Sequence, residues 1–146
     1  MHRDSLPARR RIHGLAGSGD ALALARLATE EKPLAIIAAT ALDGQRLLEE
    51  IGWFAPSLRV CLLPDWETLP YDQFSPHQDL VSERLETLYR IQRGEFDVAI
   101  AAASTALVRL CPPSYIAART FFLQAKGAID LEALRRQLVL AGYHHV

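Results

Sequence analysis

An α/β domain, with a mostly parallel sheet flanked by helices, is what this sequence predicts. Two observations carry that prediction. Short runs that are apolar on both faces recur along the chain, and stretches of helical periodicity lie between them. Strands buried on both sides mark a parallel sheet, because each crossover connection lays a helix against it. The runs are PLAIIAA at 33–39, LRVCLLP at 58–64 and FDVAIAAA at 96–103, with the more mixed TFFLQA at 120–125 as a fourth candidate. Helical patterns fall at 19–31, 41–52, 76–93 and 104–111.

The ends of these elements carry their own signals. Thr40 precedes Asp43 at the spacing of a capping box, directly after the first apolar run. Ser75, Pro76 and Gln78 read as N-cap, N1 and N3 of the long third helix, with proline where a missing N–H costs nothing. Along that helix Val81, Leu85 and Leu88 share one apolar face. Ser104 and Thr105, after the third run, are placed to cap the helix that follows. Asp130 can cap a last helix, LEALRRQLVLA, which puts Leu131, Leu134, Leu138 and Ala141 on one face and ends at Gly142.

The chain has 146 residues, enough for one domain with a real core. Its net charge of −1 gives no general attraction to nucleic acid or anionic lipid, so any such contact would be local. The N-terminal MHRDSLPARRR is basic but lacks the apolar stretch of a signal peptide, and no run approaches the ~18 apolar residues of a membrane span. A soluble, cytoplasmic protein with no membrane partner is expected. Cys61 and Cys111 lie far apart in apolar surroundings and read as buried, reduced thiols.

GLAGSGDA, Gly14 to Ala21, has the outline of a phosphate-binding loop, G-x-x-x-x-G-K-[ST]. Such a loop aims backbone N–H groups at phosphates, adds a lysine charge and holds magnesium through a hydroxyl. Here Gly14, Gly17 and Gly19 keep the turn, but Asp20 stands at the lysine position and Ala21 at the hydroxyl position. At ~4 Å and an effective dielectric near 20, each unit-charge pair is worth about 4 kcal/mol. Exchanging ammonium for carboxylate therefore penalises a triphosphate by several such kcal/mol. The loop has the shape without the chemistry, and no bound cofactor is expected. Asp65, after VCLLP, is the nearest thing to a magnesium-binding carboxylate, and no partner for it is visible.

The most unusual stretch is DWETLPYDQFSPHQD, from Asp65 to Asp79, at the carboxyl end of the second run. Ligands and partners of open α/β sheets meet the carboxyl ends of the strands. Trp66, Tyr71, Phe74 and His77 are therefore a candidate contact surface, able to stack on bases or to anchor a protein. The alternative is that the aromatics fold back onto the sheet. Its acidic balance, Asp65, Glu67, Asp72 and Asp79 with no Lys or Arg, opposes binding of a phosphate backbone by this loop alone. No catalytic or metal-binding constellation stands out; His144 and His145 are neighbours without further ligands.

The run LPDWETLPYDQFSPHQDLVSERLETLYRI closely resembles the N-terminal region of bacterial transcription-repair coupling factor, Mfd. FDVAIAAASTALVRLCPP and the closing LRRQLVLAGYHHV agree in order, so the resemblance spans essentially the whole chain. It implies a helicase-like fold related to P-loop NTPases and to the repair protein UvrB, with the ATPase function lost. Residues 1–126 would then be the UvrB-like first domain, and 127–146 the start of the following UvrA-binding domain. The family protein is an ATP-driven DNA translocase that displaces stalled RNA polymerase and recruits UvrA. Its ATP and magnesium belong to motor domains beyond this N-terminal fragment. The implied role is a noncatalytic scaffold for UvrA recruitment and interdomain contacts. The rival readings are a working nucleotide-binding P-loop domain and a DNA-contact module built on the aromatic loop 65–79.

Overall fold

The computed structural model describes residues 11–66, 73, 75–119, 128–140 and 143. Three parallel strands, β1 (Leu34–Ala38), β2 (Val60–Leu63) and β3 (Val98–Ala102), form a sheet in the order β1-β3-β2. Helix α1 (Gly19–Glu30) precedes β1, α2 (Ala41–Phe54) joins β1 to β2, and α3 (Gln78–Gln92) joins β2 to β3. Three more helices follow: α4 (Ala103–Ala106), α5 (Pro113–Arg119) and α6 (Leu131–Leu140). The predicted α/β class and parallel sheet hold. The fourth candidate strand, 120–125, lies outside the described residues, as do Tyr71, Phe74, Ala141, Gly142, His144 and His145.

β3 sits in the middle, so its residues see both neighbours. Val98, Ile100 and Ala102 are buried, in register with Leu34, Ile36 and Ala38 of β1. On the other side Val60 and Leu62 of β2 pair with Val98 and Ile100. The connections β1-α2-β2 and β2-α3-β3 cross the sheet in opposite directions. Right-handed crossovers therefore put α2 and α3 on opposite faces.

The α1/α2 face holds the main core. Ala21, Ala25 and Ala28 of α1, Leu47 and Ile51 of α2, and Ile36, Ala38, Val98 and Ile100 of the sheet form one buried cluster. Small residues decide how closely these layers approach. A Cβ on Gly44 would lie 3.2 Å from Leu62 Cδ1 and 3.7 Å from Ile100 Cγ2, so α2 rides on the sheet at glycine distance. Thr40 caps α2 as its spacing predicts: its Oγ1 accepts from the Asp43 N–H at 3.1 Å and donates to Asp43 Oδ2 at 2.8 Å. The opposite face is only partly covered, leaving Ile37 61% exposed on β1.

At the amino end one carboxylate gathers the strands. Asp97, buried just before β3, accepts from the Arg59 backbone N–H at 2.9 Å and from its guanidinium at 3.1 and 3.2 Å. Lys32, ahead of β1, lies 3.4 Å away. The hydrogen bonds from Arg59, reinforced by Lys32, hold the Asp97 carboxyl far below the usual carboxylate range.

Four expectations need correction. The long helix begins at Gln78 and not at Pro76, because His77 is extended (φ −59°, ψ 138°) and its Nδ1 accepts the Asp79 N–H at 3.3 Å. The SPHQ capping box is therefore not formed. The helix expected over 104–111 stops at Ala106 and a second one starts at Pro113. Pro112 and Pro113 lack N–H groups and push the preceding residue out of helical geometry, whereas Pro113 is well suited to open α5. Ser104 and Thr105 do not cap a helix; they lie inside α4, whose N-cap position is Ala102. Cys61 is buried as expected, but Cys111 is exposed in the irregular segment before α5. Asp130 does cap α6, its Oδ1 accepting from the Glu132 and Ala133 N–H groups at 3.0 Å.

Candidate functional site

The carboxyl end of the sheet carries both sequence-selected regions, the glycine loop before α1 and the segment after β2. In the loop, Gly14 (φ 75°) and Gly17 (φ 56°) adopt left-handed backbone that side chains disfavour, so these glycines do shape the turn. Residues 11–16 form no regular element. The Gly19 N–H donates to Ala16 O at 3.0 Å, and the Ala21 N–H donates to Asp20 Oδ1 at 2.8 Å. Two backbone donors at the helix entrance thus have partners within the chain itself.

Asp20 is the centre of this region. Its Oδ1 and Oδ2 accept from the two terminal nitrogens of Arg46 on α2 at 3.1 and 2.7 Å, a bidentate pair. Arg46 also reaches Glu50 Oε2 at 2.8 Å. The Arg46 hydrogen bond holds the Asp20 carboxyl below its ordinary value, and Asp20 in turn raises the Arg46 guanidinium. The residue at the lysine position is therefore a bolt between α1 and α2. Its arginine adds no free cation, because Glu50 leaves the trio with net negative charge. Reading the sequence around Gly14–Ala21 alone misses Arg46, which lies in the next helix with only its spacing to Glu50 as a signal.

After β2, Asp65 turns out to be occupied. Its Oδ2 accepts from Ser104 Oγ at 2.6 Å, tying the exit of β2 to α4 beyond β3, and its Oδ1 accepts the Trp66 N–H at 2.9 Å. The Ser104 hydroxyl, followed by that of Thr105, holds the Asp65 carboxyl below its ordinary value. Thr105 Oγ1 is buried near Asp65 and has no hydrogen-bond partner among the described residues. Arg84 of α3 donates to the Pro64 carbonyl and lays its guanidinium over the Trp66 ring, 4.1 Å from the centroid. One face of Trp66 is thereby covered. His77, the last candidate contact residue, is exposed and spends its Nδ1 on the α3 cap.

Trp66 also borders a cavity of about 170 Å³ together with Val81, Arg84, Leu85 and Leu88 of α3 and the 108–111 segment. The apolar face read from the sequence, Val81, Leu85 and Leu88, lines this cavity, while α3 buries Arg84 and Thr87 most deeply. An arginine inside an apolar stripe was the available sequence signal.

No protein-family model matches the chain. Individual relatives do. The transcription-repair-coupling factor of Escherichia coli is 37% identical over 151 residues, covering 100% of this chain. That of Haemophilus influenzae is 34% identical over 149 residues and 97% of this chain, and that of Myxococcus xanthus 32% over 145 residues and 92%. The chain belongs to the transcription-repair-coupling factor family. It spans about 13% of the length of the E. coli and H. influenzae coupling factors. Among the described residues of this coupling-factor chain, no helix is long and apolar enough to cross a membrane.

Proposed function

We propose that this chain supplies the noncatalytic, UvrB-like first domain of a transcription-repair coupling factor over residues 1–126, and that 127–146 open the UvrA-binding domain. In this reading the domain is a scaffold for UvrA recruitment and for contacts with the other domains. The whole protein is an ATP-driven DNA translocase that acts on stalled RNA polymerase, with ATP and magnesium bound in its motor domains. The glycine loop is a relic of a phosphate loop, kept for its turn. Membership of the family supports the repair role. One observation supports the lack of nucleotide chemistry: the Asp20–Arg46 pair stands where a phosphate loop needs an unpaired lysine.

Isothermal titration calorimetry with two titrants tests this. ATP with magnesium should give no heat of binding; micromolar affinity with hydrolysis would establish the working P-loop reading instead. UvrA should bind a chain extended past Val146 more tightly than this one, because the UvrA-binding surface is assigned downstream. Tight UvrA binding by residues 1–126 alone would overturn that assignment.

A further inference from the structure

We propose that the groove between α3 and the 108–111 segment is a docking site for an acidic, apolar polypeptide segment of another protein. An apolar side chain of the partner fills the cavity, and a carboxylate beside it pairs with Arg84 and Arg109.

Three observations converge on this. The apolar stripe of α3 faces the cavity rather than the core, and its rim is open: Leu85 is 47% and Leu110 49% exposed. Arg84, which lines the cavity, is only 3% exposed, yet no carboxylate lies within ion-pair distance of it among the described residues. Its one hydrogen bond there goes to the Pro64 carbonyl, and Asp65 nearby is held by Ser104. Buried cations are ordinarily paired, because removing a charge from water without a counter-ion is costly. Burial accordingly depresses the Arg84 guanidinium below its ordinary value. The third observation is Arg109, exposed on the cavity wall, which makes no ion pair among the described residues. Among the described residues, no acidic one lines the cavity.

An apolar floor whose described lining carries two cations and no carboxylate is complementary to an apolar anchor flanked by carboxylate. It is a poor match for nucleic acid, whose phosphates call for a row of cations along a polar track.

The test uses the whole chain and fluorescence anisotropy of a labelled peptide carrying Leu and Phe one helical turn apart, flanked by Glu. Versions with Gln or Lys in place of Glu are compared. The Glu peptide should bind, the Gln peptide about tenfold more weakly, and the Lys peptide more weakly still. Arg109→Glu should reverse the Glu/Lys preference, and Leu85→Ser should weaken all binding. Both positions are exposed, and the charge series on the unaltered chain stands even where a variant misfolds. Equal affinity for the three peptides, no binding, or a preference unmoved by Arg109→Glu would overturn the proposal. So would sedimentation showing a dimer that Leu85→Ser dissolves, since a second copy would then fill the groove.

Discussion

The two ends of the sheet use the same chemistry to different effect. At the amino end a single buried carboxylate, Asp97, collects Lys32 and Arg59 from the entries to β1 and β2. At the carboxyl end, carboxylates are shared out: Asp43 to the α2 cap, Asp65 to Ser104, Asp20 to Arg46. The amino end is thus one convergent clamp, whereas the carboxyl end is a set of local ties, each fixing one loop or helix. The difference teaches where sequence change can be absorbed. A clamp shared by three strand entries fails as a unit, while independent ties fail singly and leave the sheet intact.

The largest effect is therefore expected from Asp97→Ala. It leaves the Arg59 backbone N–H and two cations without their acceptor and lowers the thermal midpoint by roughly 5–10 °C, read by circular dichroism. Asp97→Asn, which keeps the shape, sharpens the electrostatic part. The folded carboxyl titrates below its ordinary value of 3.8, so its contribution is present above that pH. As pH falls through the folded value the contribution disappears. The gap in stability between the native chain and Asp97→Asn should be full at neutral pH and close in strong acid; a gap that widens in acid would contradict the clamp.

Ser104→Ala comes next. It removes one charge-assisted hydrogen bond from Asp65 at an exposed site, at a cost of about 1 kcal/mol in urea unfolding. Because the Trp66 N–H and Arg84 still hold the exit of β2, unfolding should remain a single transition. A loss as large as that of Asp97→Ala would show that the carboxyl end is also one cooperative clamp.

The sequence made the sheet legible because its strands are apolar on both faces and its glycines and caps mark helix starts. Thr40 and Asp130 were readable since each cap is local, made within three residues. Where tertiary partners decide, local reading fails. Ser104 looks like a cap and instead answers Asp65, thirty-nine residues away. Ser75 and Pro76 look like a helix start, but His77 supplies a competing acceptor. Asp20 was legible as a charge that repels phosphate; its partner was not, because Arg46 lies on another helix and only packing of α1 on α2 brings them together. Arg84 was visible as a cation within an apolar stripe, but its burial is decided by tertiary packing.

The smallest effect on stability is expected at Asp20, and it separates shape from charge in the glycine loop. Asp20 and Arg46 are each 39% exposed, so solvent screens their pairing, and Asp20→Ala should cost under about 1 kcal/mol. Replacing Asp20 by Lys with Ala21 by Thr goes further, since it restores the residue types of a phosphate loop but sets the new ammonium beside Arg46. If the loop is a relic held by its glycines, this double change binds ATP weakly or not at all until Arg46→Gln is added to relieve the repulsion. A triple variant that acquires measurable ATP affinity while the native chain has none would locate the loss of function in this one charge. A native chain that loses ATP binding on Asp20→Lys would instead make Asp20 part of a working site.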